Sequence, residues 1–471
     1  MKKRRYLLTA AIPLAIVLSF VFLSGDTATP QIASAGANVI PGHYIVVMKD
    51  GVNAPGLASA LDAHSDVHAD VVFNSALNGF AADMTSTEAA NLAQSPNVVS
   101  VTPDYTMSAD LHQNNFQSLT TGPDRLDLEQ NPVANVTGQA VGTTLDVDVA
   151  VIDTGVITTH PEIDVAGGKG FTGANCTDAG YEDDNGHGSH VSGTIAARDN
   201  DRGLVGIAPG ARIWAVKVLG ANGGGSNACV IAGIDWVTNR RKEYNDGAGD
   251  GDPGVNIRVI NMSLGGASDS TPGVDPICLA INAATSAGII VAVAAGNSHQ
   301  DVLGNPSPNG GYLAASPAQC VNAVTVSAFG DFDGQPGGLA PSKTFTSCPA
   351  GNQTILDDGW ACFSNYGAAV DIAAPGVDIL STWLYDSVSC GANVPCYASL
   401  SGTSMATPHV AGAFALFAVA GYNGSAAGPA AMAAFTAAGY TRTQISACGF
   451  TGDPDNFPEP VLYLGNSCTN V

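Results

Sequence analysis

Short, continuous apolar runs alternate with helical patterns from about residue 145 onward. The runs that predict β-strands are Val147–Val151, Ile213–Leu219, Val259–Met262, Ile289–Val293 and Ala323–Val326. The segments that predict helices are His187–Ala197, Ala228–Asn239, Leu279–Ala287, Ser404–Ala420 and Ala427–Ala438. Apolar strands separated by helices are typical of a parallel sheet that is covered on both faces. The pattern therefore predicts an α/β domain with three layers around a central, mainly parallel sheet.

The region before residue 111 has a different pattern and predicts a smaller α+β unit. Its strands are predicted at His43–Lys49, Gly79–Met84 and Val98–Val101. An Ala-rich helix is predicted over Thr87–Gln94, and Thr85 or Ser86 would cap it, because their hydroxyls can bond the free N–H groups of the first turn. An independent binding domain is the alternative interpretation of this unit.

The first 35 residues predict a secretory signal peptide. Met1–Arg5 is basic, Tyr6–Leu23 is apolar, and Ala33-Ser34-Ala35 offers the small residues of a cleavage site. We therefore expect a secreted, extracellular protein that leaves the membrane after cleavage. An uncleaved membrane anchor is the alternative, because the apolar run is long enough for it.

The net charge limits the partners that the protein can bind. The net charge is −24, and such an acidic protein is a poor ligand for nucleic acids or anionic membranes, although it is compatible with bound cations.

The ten cysteines all follow residue 175, which predicts disulfides in an exported domain. Cys348–Cys362, Cys390–Cys396 and Cys448–Cys468 could each close a loop, but spacing does not fix the pairing.

Three residues with complementary chemistry stand at the ends of predicted elements. Asp153 ends an apolar run, His187 lies between two glycines at the start of another, and Ser404 lies in a Gly-containing turn before an apolar helix. A serine at this place can simply cap the helix. An acid, a histidine and a serine together, however, are the groups of an acyl-transfer site.

The three segments, in the order Asp, His, Ser, resemble the subtilisin family of serine peptidases. Phe363–Gly367 and Leu380–Trp383 are similar to its proteinase K branch. Further similarities are Asn261–Gly266, Ala294–Asn297 and Ala374–Gly376, so that the resemblance runs from about Leu145 to Gly465. One departure is Ser189, where relatives usually have threonine, and the missing methyl group should matter little to catalysis.

The resemblance implies three parts of the chain: a signal peptide at 1–35, an inhibitory propeptide of ferredoxin-like fold at 36–110, and a subtilisin-like peptidase domain at 111–471. In the family, the propeptide templates folding and stays in the active site as a transient inhibitor until it is cut. We expect self-cleavage near Ser108–His112, and a monomeric product that takes proteins and peptides as substrates.

The resemblance also implies the roles of the site residues in a broad serine endopeptidase. Ser404 would be the nucleophile, His187 the general base and Asp153 its orienting acid, with Asn297 and the Ser404 N–H as the oxyanion hole. The residues expected to bind substrate are Gly223, Gly224, Gly225, Ser263, Leu264, Gly265, Ala294, Ala295 and Gly296. None of them is charged, so we expect an apolar or aromatic residue before the cleaved bond. Two flexible surface turns are the alternative interpretation of the glycine segment.

A structural Ca²⁺ is implied by Asp371, whose family counterpart binds calcium together with main-chain carbonyls, here those of Val321 and Ala323. No cofactor is expected for catalysis. The four further histidines without metal-ligand spacing are expected to be structural or exposed: His160, His190, His299 and His409.

Three alternatives remain at this level. A sedolisin-type acid peptidase shares the Ser-Gly-Thr-Ser turn but uses Glu and Asp, and the context of His187 and Asn297 argues against it. A catalytically inactive relative kept as a secreted binding protein would usually lack one of the catalytic residues. A protease inhibitor would use only residues 37–110. The two apparent insertions, at 298–319 and 330–360, have no role that the sequence reveals.

Overall fold

The computed structural model describes residues 39–64, 67–109, 112–113, 120–136, 144–177, 180–200, 203–247, 253–304, 313–346, 348–384 and 396–466. The predicted signal peptide therefore lies outside the described residues. Among the helices in the described ranges, none has the length and apolar character needed to cross a membrane.

The N-terminal unit is an antiparallel sheet packed against two helices. Its elements are β1 (Val39–Met48), α1 (Ala54–His64), β2 (His68–Phe73), β3 (Gly79–Asp83), α2 (Ser86–Ala93) and β4 (Val98–Ala109). The strand order β4-β1-β3-β2 confirms the expected ferredoxin-like fold. Thr85 caps α2 in a capping box with Glu88, in which each side chain bonds the backbone of the other residue.

The C-terminal part contains the remaining elements. Its helices are α3 (Thr121–Arg125), α4 (His187–Ala196), α5 (Asn227–Asp246), α6 (Pro276–Ser286), α7 (Thr403–Val419) and α8 (Gly428–Ala437), with a 3₁₀ turn at Leu128–Gln130. Its strands are β5 (His112–Gln113), β6 (Asp148–Asp153), β7 (Asp164–Gly170), β8 (Arg212–Lys217), β9 (Gly224–Ser226), β10 (Ile257–Met262), β11 (Leu264–Ser268), β12 (Ile290–Ala294), β13 (Ala314–Ser316), β14 (Val324–Gly330), β15 (Lys343–Phe345), β16 (Gln353–Ile355), β17 (Gly359–Trp360), β18 (Ile372–Pro375), β19 (Ile379–Trp383), β20 (Cys396–Ser401), β21 (Thr441–Arg442) and β22 (Val461–Leu462).

The central sheet has the order β22-β18-β14-β12-β10-β6-β8-β7, and all of these neighbours are parallel. Alternate residues of β6 point to opposite faces: Val149 and Val151 join the core beneath α4 and α7, whereas Ala150 and Ile152 join the core beneath α5 and α6. Burying each Val, Ile or Leu side chain there contributes about 1.5–3 kcal/mol. The predicted three-layer α/β domain is therefore confirmed.

The main difference from the expected secondary structure is the length of β4, predicted as four residues and observed as twelve. Pro103 interrupts the strand pattern because proline cannot donate a ladder hydrogen bond. β4 nevertheless continues past Pro103, because its residues 106–109 pair with β9 and β11 of the C-terminal part, which extend the same sheet.

Three disulfides whose cysteines both lie in the described ranges close loops with sequence separations of 14, 42 and 53 residues. The Cys348–Cys362 bridge, one of the possibilities read from the sequence, is present. Cys176–Cys229 and Cys278–Cys320 are two further bridges that the spacing left open. Cys396 and Cys448 are also disulfide-bonded, and the other two cysteines, at 390 and 468, lie outside the described residues.

A buried histidine connects the N-terminal unit with the C-terminal part. His43 on β1 is 6% exposed and lies between Asp104 Oδ2 at 2.9 Å and Asp70 Oδ2 at 3.0 Å. The other oxygen of Asp104 accepts a hydrogen bond from Ala228 N, at 3.3 Å, in the first turn of α5. A carboxylate is favoured there because helix N-termini carry partial positive charge.

We expect the stability of the precursor to fall at alkaline pH through His43. Burial by itself would lower the pKa of His43, but the two carboxylates outweigh it and raise this pKa to about 10. The protonated ring therefore stabilises the fold fully below its unfolded pKa of about 6.5, and this contribution is lost as the pH rises towards 10. Urea unfolding of a Ser404→Ala precursor should show a smaller loss of stability between these pH values when His43 is replaced by Gln. His68→Gln is the control, because His68 is 70% exposed. If the free energy of unfolding falls equally in the His43 variant and its parent over this pH range, His43 is not the source of the pH dependence.

Candidate active site

Asp153 and His187 form a buried pair at the carboxyl edge of the central sheet. Asp153 ends β6 and His187 begins α4, and both are fully buried. Asp153 Oδ1 accepts hydrogen bonds from His187 Nδ1 at 2.8 Å and from Thr154 N at 2.7 Å. A carboxylate at Nδ1 selects the tautomer whose Nε2 is free of a proton and can act as a base.

Asp183 holds the turn that leads into His187, although none of the sequence motifs singled it out. Its Oδ1 accepts from Thr154 Oγ1 and Gly186 N, both at 2.9 Å. Its Oδ2 accepts from the Ser189 hydroxyl at 2.6 Å and from Ser189 N at 2.9 Å. The Ser189 bond needs only a hydroxyl, which explains why the methyl group of threonine is dispensable here. The sequence signal that could have identified Asp183 is an acidic residue four positions before His187.

Ser404 lies in the first turn of α7, which packs against α4. Its Oγ donates to the carbonyl of Ser263 at 3.1 Å, and Ser263 Oγ donates to the carbonyl of Ser404 at 2.8 Å. The Ser404 carbonyl is available because Pro408, four residues further along the helix, has no N–H group to donate. The proline within the motif thus lets Ser263 fix the start of α7.

Asn297 has an oriented amide whose nitrogen is unused. Its Oδ1 accepts from Thr403 N at 2.9 Å and from Thr403 Oγ1 at 3.1 Å. The opposite end of the amide, Nδ2, is buried and has no hydrogen-bond partner among the described residues. Asn365, which the sequence analysis did not single out, supports this loop by donating to the carbonyl of Ala295 at 2.8 Å. A buried, fixed N–H donor without a partner is suited to a developing negative charge.

An extended segment of the chain itself lies in the groove beside these residues. Ser108 of β4 is opposite both Gly224 of β9 and Gly265 of β11, and Ala109 is opposite Leu264. On the far side, His112 of β5 is opposite Ser401, three residues before Ser404. Residues 110 and 111 lie outside the described ranges. The two strand edges that were expected to bind substrate therefore bind residues 106–109.

The remaining predicted groove residues surround this segment. Gly223 forms the turn before β9, where its N–H donates to the Gly220 carbonyl at 2.8 Å. Ala294 and Ala295 are buried at the end of β12, next to Gly296, whose N–H donates to Thr403 Oγ1 at 3.1 Å. Gly296 has φ +101°, and a Cβ there would lie 2.5 Å from Asn365 Nδ2, so only glycine fits.

Two other histidines close to the site have structural roles, as expected. His190 Nε2 lies 3.0 Å from the carbonyls of both Ile379 and Ala398, and His409 Nδ1 lies 2.8 Å from the Met405 carbonyl. Burial lowers the pKa of His190 to about 3 and that of His409 to about 4. Both rings are therefore neutral near pH 7 and add no positive charge beside His187.

A buried lysine lies at the same carboxyl edge of the central sheet. Lys217 lies opposite Asp153 in the β6–β8 ladder. Its ammonium group donates to the Thr154 carbonyl and to Asp184 Oδ1, each at 2.5 Å, and to the Leu219 carbonyl at 3.0 Å. Its charge is therefore used to fix the backbone behind Asp153.

Known proteins match both parts of the chain. Residues 145–441 match the Subtilase family, Peptidase S8, and residues 43–110 match the Peptidase inhibitor I9 family. An extracellular serine proteinase of Thermus sp. (strain Rt41A) is 32% identical over 433 residues, which cover 85% of this chain and 88% of that protein. Subtilisin Savinase of Lederbergia lenta is 38% identical over 270 residues, which cover 57% of this chain and 75% of that protein. The crystal structure of a cold-adapted subtilisin-like serine proteinase is 29% identical with a TM-score of 0.49, covering 74% of this chain and 100% of that one.

The family match spans more than half of the 471 residues, and the Thermus relative aligns over most of both proteins. The order of Asp153, His187 and Ser404 and the fold around them agree with this relationship. The chain therefore belongs to the subtilase family, and it is a subtilisin-like serine endopeptidase with an inhibitor I9 propeptide.

Proposed function

We propose that the chain is a secreted, self-processing zymogen of a broad-specificity endopeptidase that uses Asp153, His187 and Ser404. The observation that carries this proposal is the extended segment at 106–109, which is paired on both sides in the groove. Main-chain pairing to exposed strand edges is how a peptide substrate is bound irrespective of most of its side chains. The propeptide at 36–110 would thus inhibit the peptidase at 111–471 by occupying the substrate position.

In this proposal the reaction follows the acyl-enzyme route. Ser404 Oγ attacks the substrate carbonyl carbon while His187 removes the hydroxyl proton, and the same proton is then given to the leaving amine. Asp153 keeps the ring oriented and stabilises the imidazolium without taking the proton. The oxyanion accepts hydrogen bonds from Asn297 Nδ2 and from Ser404 N, since the first N–H groups of α7 have no partner within the helix. Water then hydrolyses the acyl-enzyme.

The groove supports a preference for apolar or aromatic residues before the cleaved bond. The segments expected to border that pocket, Ser263–Gly266 and Ala294–Gly296, contain no charged residue. A Lys or Arg side chain of a substrate would therefore lose its hydration there without gaining a carboxylate.

Export is supported by two further observations. The Thermus relative is described as extracellular. The three described disulfides are typical of proteins that mature in an oxidising compartment. We assign the export signal to residues 1–35.

A structural Ca²⁺ at Asp371 also belongs to this proposal. Asp371 Oδ2 accepts from Thr325 N at 2.8 Å, and burial raises the pKa of Asp371 to about 7. A bound cation would keep this carboxylate ionised. The carbonyls of Val321 and Ala323 would supply neutral oxygen ligands of the kind that Ca²⁺ prefers. The ion would stabilise the fold and take no part in the reaction.

The proposal predicts that Ser404→Ala abolishes both processing and proteolysis. Wild-type protein should be secreted with its N-terminus at residue 110, 111 or 112, digest azocasein and react with a fluorophosphonate probe. The Ser404→Ala protein should stay at precursor length and remain inert, with N-terminal sequencing and gel analysis as the readouts. If both proteins are processed alike and neither cuts azocasein, the chain is an inactive binding protein of subtilase fold.

We expect Asn297→Ala to lower kcat by about 10²–10³, or about 3–4 kcal/mol, the range found when this donor is removed from a subtilisin. KM should change little, because the lost hydrogen bond forms mainly in the transition state. Steady-state hydrolysis of a chromogenic peptide would measure both constants. Asn423→Ala is the control, since Asn423 is an exposed asparagine. A kcat within about threefold of wild type would exclude Asn297 as an oxyanion donor.

A further inference from the structure

The apparent insertion at 330–360 brings together acidic side chains far from the catalytic groups in sequence. Asp331 and Asp333 follow β14, and Asp357 follows β16. One carboxylate oxygen from each of these three residues lies within 4.8 Å of the other two. Asp331 and Asp357 are 1% and 6% exposed, whereas Asp333 is exposed to solvent.

The basic side chains nearby do not balance the negative charge of this cluster. Arg125 is fully buried and donates its Nε to Asp358 Oδ1 at 2.6 Å, and the same Nε is 3.6 Å from Asp331 Oδ2. Asp358 is itself 5% exposed, so the one guanidinium group contacts two buried carboxylates, those of Asp331 and Asp358. Lys343 pairs with Asp378 at 2.8 Å instead. Burying carboxylates without full compensation is costly, and a cation bound among them would lower that cost.

Asp331 has a buried oxygen that receives no hydrogen bond. Its Oδ1 accepts from Asp333 N at 3.1 Å and from Gly334 N at 2.7 Å. Its Oδ2 accepts no hydrogen bond from any described residue, although the side chain is fully buried. Asp357, by contrast, is held by Phe332 N and Ala340 N, each at 2.8 Å, so that its carboxylate is fixed in place. Apart from its 3.6 Å ion pair with Arg125, this oxygen of Asp331 has no polar partner among the described residues. Because buried polar atoms are nearly always hydrogen-bonded, it is independent support for a missing ligand.

We propose that Asp331, Asp333 and Asp357 bind a Ca²⁺ ion, at a site separate from Asp371. Carboxylate oxygens without any histidine or cysteine suit Ca²⁺ rather than Zn²⁺. The flexible coordination of Ca²⁺ also leaves room for water ligands on the exposed side of Asp333, which Mg²⁺ would arrange only in a strict octahedron. This inference does not depend on the proposed peptidase mechanism.

The ion would stabilise the contact between the insertion at 330–360 and α3, the first helix after the expected cleavage region. The Thr121 hydroxyl at the start of α3 donates to the Asp331 carbonyl at 3.4 Å. Asp124 of α3 is so close to Gly334 that a Cβ on this glycine would lie 2.9 Å from Asp124 Cβ. Arg125, at the end of α3, bonds Asp358. Calcium at this place therefore holds the segment that becomes the new N-terminal region once the propeptide is removed.

Calcium binding to the Ser404→Ala precursor tests the proposal, because this protein should not digest itself. After EDTA treatment and desalting, CaCl₂ is titrated by calorimetry and Tm is measured with and without Ca²⁺. The decisive variant is Asp333→Asn, whose exposed side chain can be changed without disturbing the core. It should lose about one bound Ca²⁺ per chain and show a smaller rise in Tm on adding Ca²⁺ than its parent.

Two controls separate this site from others. Asp246→Asn changes an exposed aspartate outside the cluster and should keep the parental stoichiometry. Asp371→Asn should remove a different ion, so that the double variant with Asp333→Asn loses about two. The proposal is wrong if Asp333→Asn and Asp246→Asn bind the same number of Ca²⁺ ions and gain equally in Tm. A Tm gain with MgCl₂ equal to that with CaCl₂ in the parent, and lost in Asp333→Asn, would overturn the choice of Ca²⁺.

Discussion

The carboxyl edge of the parallel sheet determines where the proposed catalytic groups can lie. β6, β10 and β12 are neighbours, so their ends bring Asp153, Ser263 and the loop of Asn297 to one side of the molecule. Helices α4 and α7 pack on the same face of the sheet, through an apolar core with almost no exposed surface. Because a close-packed core does not deform gradually, His187 and Ser404 at the starts of these helices are held against that edge. The hydrogen bonds Asp153–His187, Ser263–Ser404 and Asn297–Thr403 then lock the arrangement.

The proposed inhibition and substrate binding depend on the same physical interaction, main-chain pairing to strand edges. The edges of β9 and β11 present unpaired backbone groups, and glycines there leave space for a third strand. Residues 106–109 satisfy these groups in the precursor. In the proposed function a substrate makes the same main-chain bonds, so it would compete with the propeptide for these edges. The propeptide is held additionally by Asp104 at the start of α5 and by Asp235 of α5, which accepts from the Ser75 and Ala76 N–H groups.

Two of the few basic residues of this acidic chain, Arg125 and Lys217, are buried and donate hydrogen bonds inside the protein. Arg125 joins α3 to the C-terminal segment, since its Nη2 donates to the carbonyls of Cys448 at 2.9 Å and Gly449 at 3.0 Å. Together with its bond to Asp358, this places one charge where α3 meets two segments that are each more than 200 residues away from it in sequence. Lys217 has the corresponding role behind Asp153. Both are buried, so neither is available to recognise an acidic partner.

The sequence by itself determined the features that neighbouring residues encode. Apolar runs predicted the parallel strands, Thr85 and Ser86 were the candidate caps at the start of α2, and glycines beside His187 and Ser404 indicated turns at element ends. The family resemblance singled out Asn297, and the structure adds its partner, Thr403. Only the tertiary structure decided the length of β4, the role of Asp183, the pairings of Cys176 and Cys278, and the acidic cluster in the insertion. These features depend on contacts between residues that are distant in sequence, such as Ser263 and Ser404, 141 positions apart. No local pattern contains such contacts, because they exist only once the sheet has set the positions of its loops.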